Sequence, residues 1–412
     1  MTAGIIIARK LGPELRGYYG LVIYAVNLLA LGQLGLGPAI TYYTGKNTGE
    51  RGRILGFVIA SALFLGGGLA VVFFFVYPYI AGIWTDIPRI TMLIGLAAIP
   101  FSFFLTYFNQ FQMGMLKVMQ SNIVRLIRVV CYLLCIIILV WMMNGKVFAT
   151  TISFTLSITV TAFVGLLFFR SGVQPKFERD RTFVHPFFHY GFKAYMITIV
   201  IFLNHRLDIF LIKHFLTATD VGFYQIAVNV CERLWLIPTA FGHVLLPTLL
   251  TMDKNSAEFT AKVCRNSFML ITILAVLLVG ASRFAISLLY GTPYLPSAKA
   301  LYAVIWGVVA ATVLKVVAPD FASRNRQHYT IIACAVGFVL NLAGNLYMIP
   351  RYGIIGAGIA TSFASVVTGV ILLAFFIRQQ KIPLRMVLIP IREDLGDYLK
   401  HLNRLLAYVK RN

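Results

Sequence analysis

Hydrophobic residues in this chain come in long runs broken by short polar stretches, not in the apolar stripes of a soluble helix or the alternation of a half-buried strand. The runs cover about 18–43, 54–84, 90–113, 123–143, 148–169, 187–212, 221–250, 268–290, 298–321, 329–349 and 353–377. Each is long enough to cross a hydrocarbon core of about 30 Å at 1.5 Å per helical residue. Backbone groups in lipid must pair within their own segment, so each run predicts a helix. Residues 1–8 form a shorter apolar piece of about 12 Å as helix, and Arg9-Lys-Leu-Gly-Pro-Glu14 ends it. It reads as the tail of a first helix whose start is missing, or as an interfacial piece. The prediction is an all-α polytopic membrane protein with eleven full spans and a stub. Glycines and prolines inside the runs (Gly66-Gly67-Gly68, Pro100, Pro238, Pro319) fit kinks and close helix packing.

Composition agrees. The 412 residues are 59% hydrophobic and 12% charged, against about a quarter charged in a soluble domain. A net charge of +22 in a soluble protein would point to nucleic acid. Here no region outside the spans is large enough for that, and loop Lys and Arg set topology and meet anionic lipid. Loops 44–53, 117–128, 170–193, 254–265 and 324–326 with the tail carry 24 Lys and Arg, and the opposite loops carry 9. The richer side is the cytoplasm, which places the C-terminus inside. The tail 392–412 has Leu395, Leu399, Leu402, Leu406 and Val409 at helical spacing among basic residues, as in an interfacial amphipathic helix. Tyr77, Tyr79 and Trp84 suit an aromatic belt. Five cysteines lie in apolar surroundings without CxxC or zinc spacing. No metal site, cofactor or nucleotide-binding motif is predicted.

The chain carries a weak internal repeat. Gly17-Tyr-Tyr-Gly-Leu-Val-Ile-Tyr-Ala-Val-Asn27 is similar to Gly222-Phe-Tyr-Gln-Ile-Ala-Val-Asn-Val, 205 positions later. The stretch from Phe111 to Lys117 is similar to that from Phe321 to Gln327 at an offset of 210. Two near-equal offsets imply two units of about six helices. An even helix count gives both units the same orientation, so the repeats are parallel, with the substrate path between them. The predicted division is an N-terminal bundle 1–185, a C-terminal bundle 186–377 and a basic tail 378–412.

Charges inside a span cost about 2.5–17 kcal/mol, depending on how they are measured, and mark functional positions by default. The set at depth is His205, Arg206 and Asp208, then Glu232 and Arg233, then Lys315, with Asp320 near the end of its span and His243 as a further titratable group. All lie in the second half. The first half offers neutral groups such as Asn27 and Gln33. Arg206 and Asp208 point about 200° apart on one helix, so each needs a partner elsewhere, for Asp208 Arg233 or Lys315. Two readings stand. In one the residues form interhelical salt bridges and nothing more. In the other, Arg206, Arg233 and Lys315, with His205 and Asn27, bind an anionic, hydroxyl-rich cargo, since a guanidinium fork matches phosphate oxygens. Asp208, Glu232 and Asp320 then hold that cluster together or carry a coupling ion.

The stretch from Arg9 to Gly20 with Gly35-Leu-Gly-Pro-Ala39, and that from Arg206 to Ala227 with Glu232, Leu234-Trp235, Pro238 and Leu245-Leu-Pro247, resemble the bacterial polysaccharide and O-antigen flippases. These are the oligosaccharide-lipid transporters of the superfamily that also holds multidrug antiporters and the lipid II flippase. The resemblance implies two six-helix repeats around a V-shaped central cavity, alternating access, and a polyprenyl-diphosphate-linked oligosaccharide as cargo. It also implies residence in the inner membrane, contact with membrane lipids, H+ or Na+ as candidate coupling ions, and other polysaccharide-assembly proteins as partners. A drug or cation antiporter of the same fold is the runner-up; cationic drugs favour acids at depth, and here cations match them in number. A glycan polymerase or ligase would place its chemistry on sizeable outer loops, and no outer loop exceeds about ten residues.

Overall fold

The computed structural model describes residues 2–80, 88–169, 173–177, 181–252, 255–324 and 326–388. The tail helix 392–412, Trp84 and the side chains of Tyr79, His205 and His243 lie outside the described residues. The described residues form helices and connecting turns, with no strand among them. In chain order the α-helices are α1 Thr2–Leu29, α2 Leu36–Lys46, α3 Arg51–Ser61, α4 Gly67–Ile80, α5 Arg89–Gly114, α6 Val118–Cys135, α7 Val147–Phe169, α8 Arg181–Phe215, α9 Ala218–Glu232, α10 Leu236–Thr251, α11 Ser256–Tyr290, α12 Ser297–Ser323, α13 His328–Gln380 and α14 Leu384–Leu388. Eight helical stretches among the described residues are long and apolar enough to cross a membrane.

Among the described residues each predicted run falls on helix, interrupted in the first run by a turn at Leu34 and Gly35. Short tighter or wider turns join the pieces: a 3₁₀ turn at Ala30–Gln33, π turns at Ala62–Gly66 and Ile136–Met142, and a 3₁₀ turn at Arg233–Trp235 between α9 and α10. Two helices are broken by glycine. Gly12 in α1 adopts φ 74°, ψ 174°, and Gly353 in α13 adopts φ 60°, ψ −142°. L-residues with a Cβ avoid this region, so glycine is the residue that permits the break. Pro13 lacks the N–H that would continue the ladder. The stub 2–11 is thus separate from 13–29, and α13 is two spans, 328–352 and 354–380.

Packing density divides the chain into two compact units, residues 1–225 with 289–293, and residues 226–288 with 294–412. In the first, α5 packs on α2 and α7, α6 on α7, and α2 on α8. Ile7 and Leu11 of the stub pack with Tyr19, Ile136, Val140 and Val147. In the second, α12 packs along both halves of α13 and against α10, around Val313, Val316, Phe321, Leu372 and Phe376. Small residues bring the backbones together there. The Ser362 hydroxyl donates to the Ala303 carbonyl at 2.5 Å and accepts the Gly307 N–H at 2.9 Å. Such interhelical bonds contribute about 0.6 kcal/mol each in a membrane, so close packing carries most of the association.

The start of α9 meets α1 through a reciprocal contact within the first unit. A methyl on Gly17 would overlap the Ala218 carbonyl, and a methyl on Gly222 would overlap the Pro13 carbonyl. Ala218 follows Pro13, and Gly222 follows Gly17, by the same 205 positions that the repeat predicts. A two-fold relation between the segments would produce this pairing.

Gly222→Val is expected to lower the thermal midpoint of the purified protein in detergent, because overpacking a closed contact costs about 1–3 kcal/mol. Gly4→Ala, at a site with open space, should leave the midpoint unchanged. Equal midpoints for Gly222→Val and the unaltered chain would show that the contact does not hold the helices.

Candidate functional site

The last turns of α8 bury Ile209 and Ile212, and that orientation sends Arg206 and Asp208 in different directions, as the helical spacing predicts. The half-buried Arg206 lies with its guanidinium carbon 5.4 Å from the centre of the Tyr24 ring of α1. Lys213, seven residues further on, places its ammonium 5.7 Å from the Tyr18 ring. α8 therefore lays two cations against two tyrosines of α1. Each such contact is worth about 0.5–2 kcal/mol, more as water is excluded. Asn27 is exposed one turn beyond Tyr24.

Asp208 is 2% exposed. Its Oδ2 accepts the Tyr224 hydroxyl of α9 at 2.5 Å, and its Oδ1 accepts the Ile209 N–H at 2.8 Å. The sequence reading sought a cation for this carboxylate. That reading names Arg233 or Lys315; among the groups bound to Asp208 is a phenol of the neighbouring helix, Tyr224.

In the second unit the 3₁₀ turn Arg233–Trp235 sets the local geometry. Lys315 of α12 holds its ammonium 5.2 Å from the Trp235 ring, while the Trp235 indole N–H donates to the Val308 carbonyl at 3.1 Å and fixes the ring. Glu232 lies within electrostatic range of Lys315. Gly242 of α10 lets that helix approach the Lys315 backbone, since a methyl there would crowd the Lys315 carbonyl. Arg233 is exposed.

Asp320 is fully buried and stands in another arrangement. Its carboxylate accepts Arg324 at 2.9 and 3.2 Å and the Thr260 hydroxyl of α11 at 3.1 Å, and Arg324 also reaches Ser256 at 2.8 Å. This knot ties α11 to α12. The structure thus groups Arg206 with Tyr24 and the nearby Asn27, Asp208 with Tyr224, and Lys315 with Trp235 and Glu232.

The residues that sequence reasoning missed are the carriers Tyr18, Tyr24, Tyr224 and Trp235. Their signal is visible in hindsight, since Tyr18 and Tyr24 sit in the repeated Gly-Tyr-Tyr-Gly stretch and Tyr224 in its second copy. Inside apolar runs they read as lipid-facing or interfacial aromatics. Arg125 and Arg128 were also missed. Loop counting places them in a cytoplasmic loop, and in the structure they lie two to three turns inside α6.

A family model described as "Polysaccharide biosynthesis protein" matches residues 6–299. A probable low-salt glycan biosynthesis flippase, Agl15 of Haloferax volcanii, is 24% identical over 203 residues, covering 48% of this chain and 42% of its own. The chain spans about half, or less, of the length of the curated relatives it matches. Among solved structures, an inward-facing multidrug resistance MATE family transporter of the MOP superfamily aligns with a TM-score of 0.79 at 12% identity, covering 92% of this chain and 93% of that one. The lipid II flippase MurJ in an inward closed conformation aligns with a TM-score of 0.75 at 16% identity, covering 93% and 86%. The fold is that of these transporters.

Tyr224→Phe removes a hydroxyl donor from a buried carboxylate, a loss of about 1–2 kcal/mol. It should lower the thermal midpoint in detergent by about 2–4 °C. A midpoint equal to that of the unaltered protein would mean that the bond contributes nothing to holding α8 against α9.

Proposed function

We propose, on the premise that this chain belongs to the polysaccharide biosynthesis protein family, that it moves a polyprenyl-diphosphate-linked oligosaccharide from the cytoplasmic to the outer leaflet. The observation that carries this reading is the seating of cations at depth on aromatic rings, Arg206 on Tyr24 and Lys315 on Trp235. The guanidinium presents a fork of donors that suits phosphate oxygens, and the ammonium adds a second positive group. Asn27, exposed beside Tyr24, suits sugar hydroxyls. Arg233 and His205 belong to the same cargo-binding set.

In this reading the bundles 1–185 and 186–377 rock in alternating access, and differential binding to the two states moves the cargo. The lipid tail stays in the bilayer while the head group crosses. Asp208 and Glu232 carry a coupling H+ or Na+ or hold the cationic cluster, and Asp320, bound to Arg324 and Thr260, serves the packing of α11 on α12. The protein sits in the cytoplasmic membrane with its C-terminus inside. Its partners are the proteins that assemble the glycan on one face and use it on the other. It catalyses no bond change.

The test is transfer of a fluorescent lipid-diphosphate oligosaccharide by the protein reconstituted in liposomes. The unaltered chain should exceed empty liposomes. Arg206→Ala should slow transfer about tenfold or more, since a charge-assisted bond is worth about 1.5–3 kcal/mol and 1.4 kcal/mol is tenfold. Rates no higher than in empty liposomes reject the function, and a full-rate Arg206→Ala variant rejects the role of that residue.

A further inference from the structure

A second cationic place lies in the first unit, on α6. Arg125 and Arg128 line a cavity of about 510 Å³ between α1, α5, α6 and α7. Three residues apart, they share one helix face with Tyr132, four residues further on. α6 begins at Val118, so Arg128 lies about 15 Å along the helix at 1.5 Å per residue. Two like charges at this spacing repel, and a guanidinium inside a span persists where something offsets its charge. The described residues lining this cavity include no carboxylate.

The polar groups around the two arginines have a definite hydrogen-bonding balance. The hydroxyls of Tyr19 and Tyr132 lie 2.6 Å apart. Together they hold two protons, one of which is used between them, so the pair keeps one to donate. The carbonyl oxygen of Asn109 accepts the Ser121 hydroxyl at 2.9 Å, which fixes the amide and leaves its NH₂ group as the donor. The Ser157 and Thr161 hydroxyls donate to carbonyls of their own helix at 2.7 and 2.6 Å, so they offer lone pairs. Guanidinium, phenol and amide donors suit an anion's oxygens. The serine and threonine lone pairs suit hydroxyls beside that anion.

This place is separate from the one at Arg206. The cavity is bounded on α1 by Tyr19 and Ile23, four residues apart on one face. Arg206 rests on Tyr24, about 100° around the helix from Ile23. On α6, Leu126 and Val129 are each 63% exposed and Val130 is 47% exposed, so the flank beside the arginines is apolar and meets lipid chains. We propose that this cavity binds the hydroxyl-bearing phosphate head group of an anionic membrane lipid whose chains remain in the bilayer along α6. The site stands apart from the cargo reading, and its occupant offsets the repulsion between Arg125 and Arg128 whether or not cargo is present.

The test uses the full purified chain in phosphatidylcholine–detergent micelles, titrated with phosphatidylglycerol and followed by thermal midpoint. Phosphatidylglycerol should raise the midpoint saturably. An Arg125→Gln/Arg128→Gln double variant should need about tenfold more lipid, the equivalent of 1.4 kcal/mol. Inorganic pyrophosphate should reproduce the shift only at much higher concentration. A photoactivatable phosphatidylglycerol should label the peptide 118–135 in the unaltered chain, a readout that does not depend on how the variant folds. Labelling elsewhere, equal affinity in the double variant, or equal effects of phosphatidylcholine and phosphatidylglycerol would overturn the proposal. Pyrophosphate saturating at the lipid's concentration would reassign the site to a free anion and overturn the lipid assignment.

Discussion

A charge inside an apolar bundle must find its counterpart among protein groups, and this chain often meets that constraint with aromatic side chains. Arg206 and Lys213 rest on tyrosines of α1, and Lys315 rests on a tryptophan whose indole is anchored to Val308. Asp208 takes its proton donor from Tyr224. The buried Asp320 pairs with Arg324 in the packing of α11 on α12. That pair ties two helices together. For the cations that lie on rings we infer a diphosphate-bearing head group as the ligand.

The helices that position these groups depend on close backbone approach. Gly17 and Gly222 admit each other's neighbouring carbonyls, from Ala218 and Pro13. That contact sets the start of α9 against α1, and so brings Tyr224 to the Asp208 carboxylate on α8. Glycine acts differently at Gly12 and Gly353, where a positive φ ends one span and begins another. In both roles the absence of a Cβ decides where aromatic and charged groups are delivered.

Much of the fold was legible in the amino-acid order, because lipid forces every span into a helix and every span into a long apolar run. The stub, the breaks at Gly12 and Gly353, and the 205-residue spacing between Gly17 and Gly222 could all be read that way. The site was legible only in part. The 200° divergence of Arg206 and Asp208 follows from helical geometry alone. Their partners do not, because a tyrosine inside an apolar run gives no sign of whether it faces lipid, core or a charge. Arg125 and Arg128 escaped notice for another reason. Counting basic residues toward loops suits topology, but it conceals an arginine two or three turns inside a helix. Arg324 is different: it caps the end of α12, and only its distance of four residues from Asp320 hints at their pairing.

The central claim is that fixed cations carry a lipid through its diphosphate. It is tested most directly by comparing, in proteoliposomes, transfer of one oligosaccharide on a polyprenyl diphosphate with transfer of the same oligosaccharide on an uncharged lipid. Rapid transfer of the diphosphate-linked form is expected, with transfer of the uncharged form near that of empty liposomes. Equal rates for the two would contradict it.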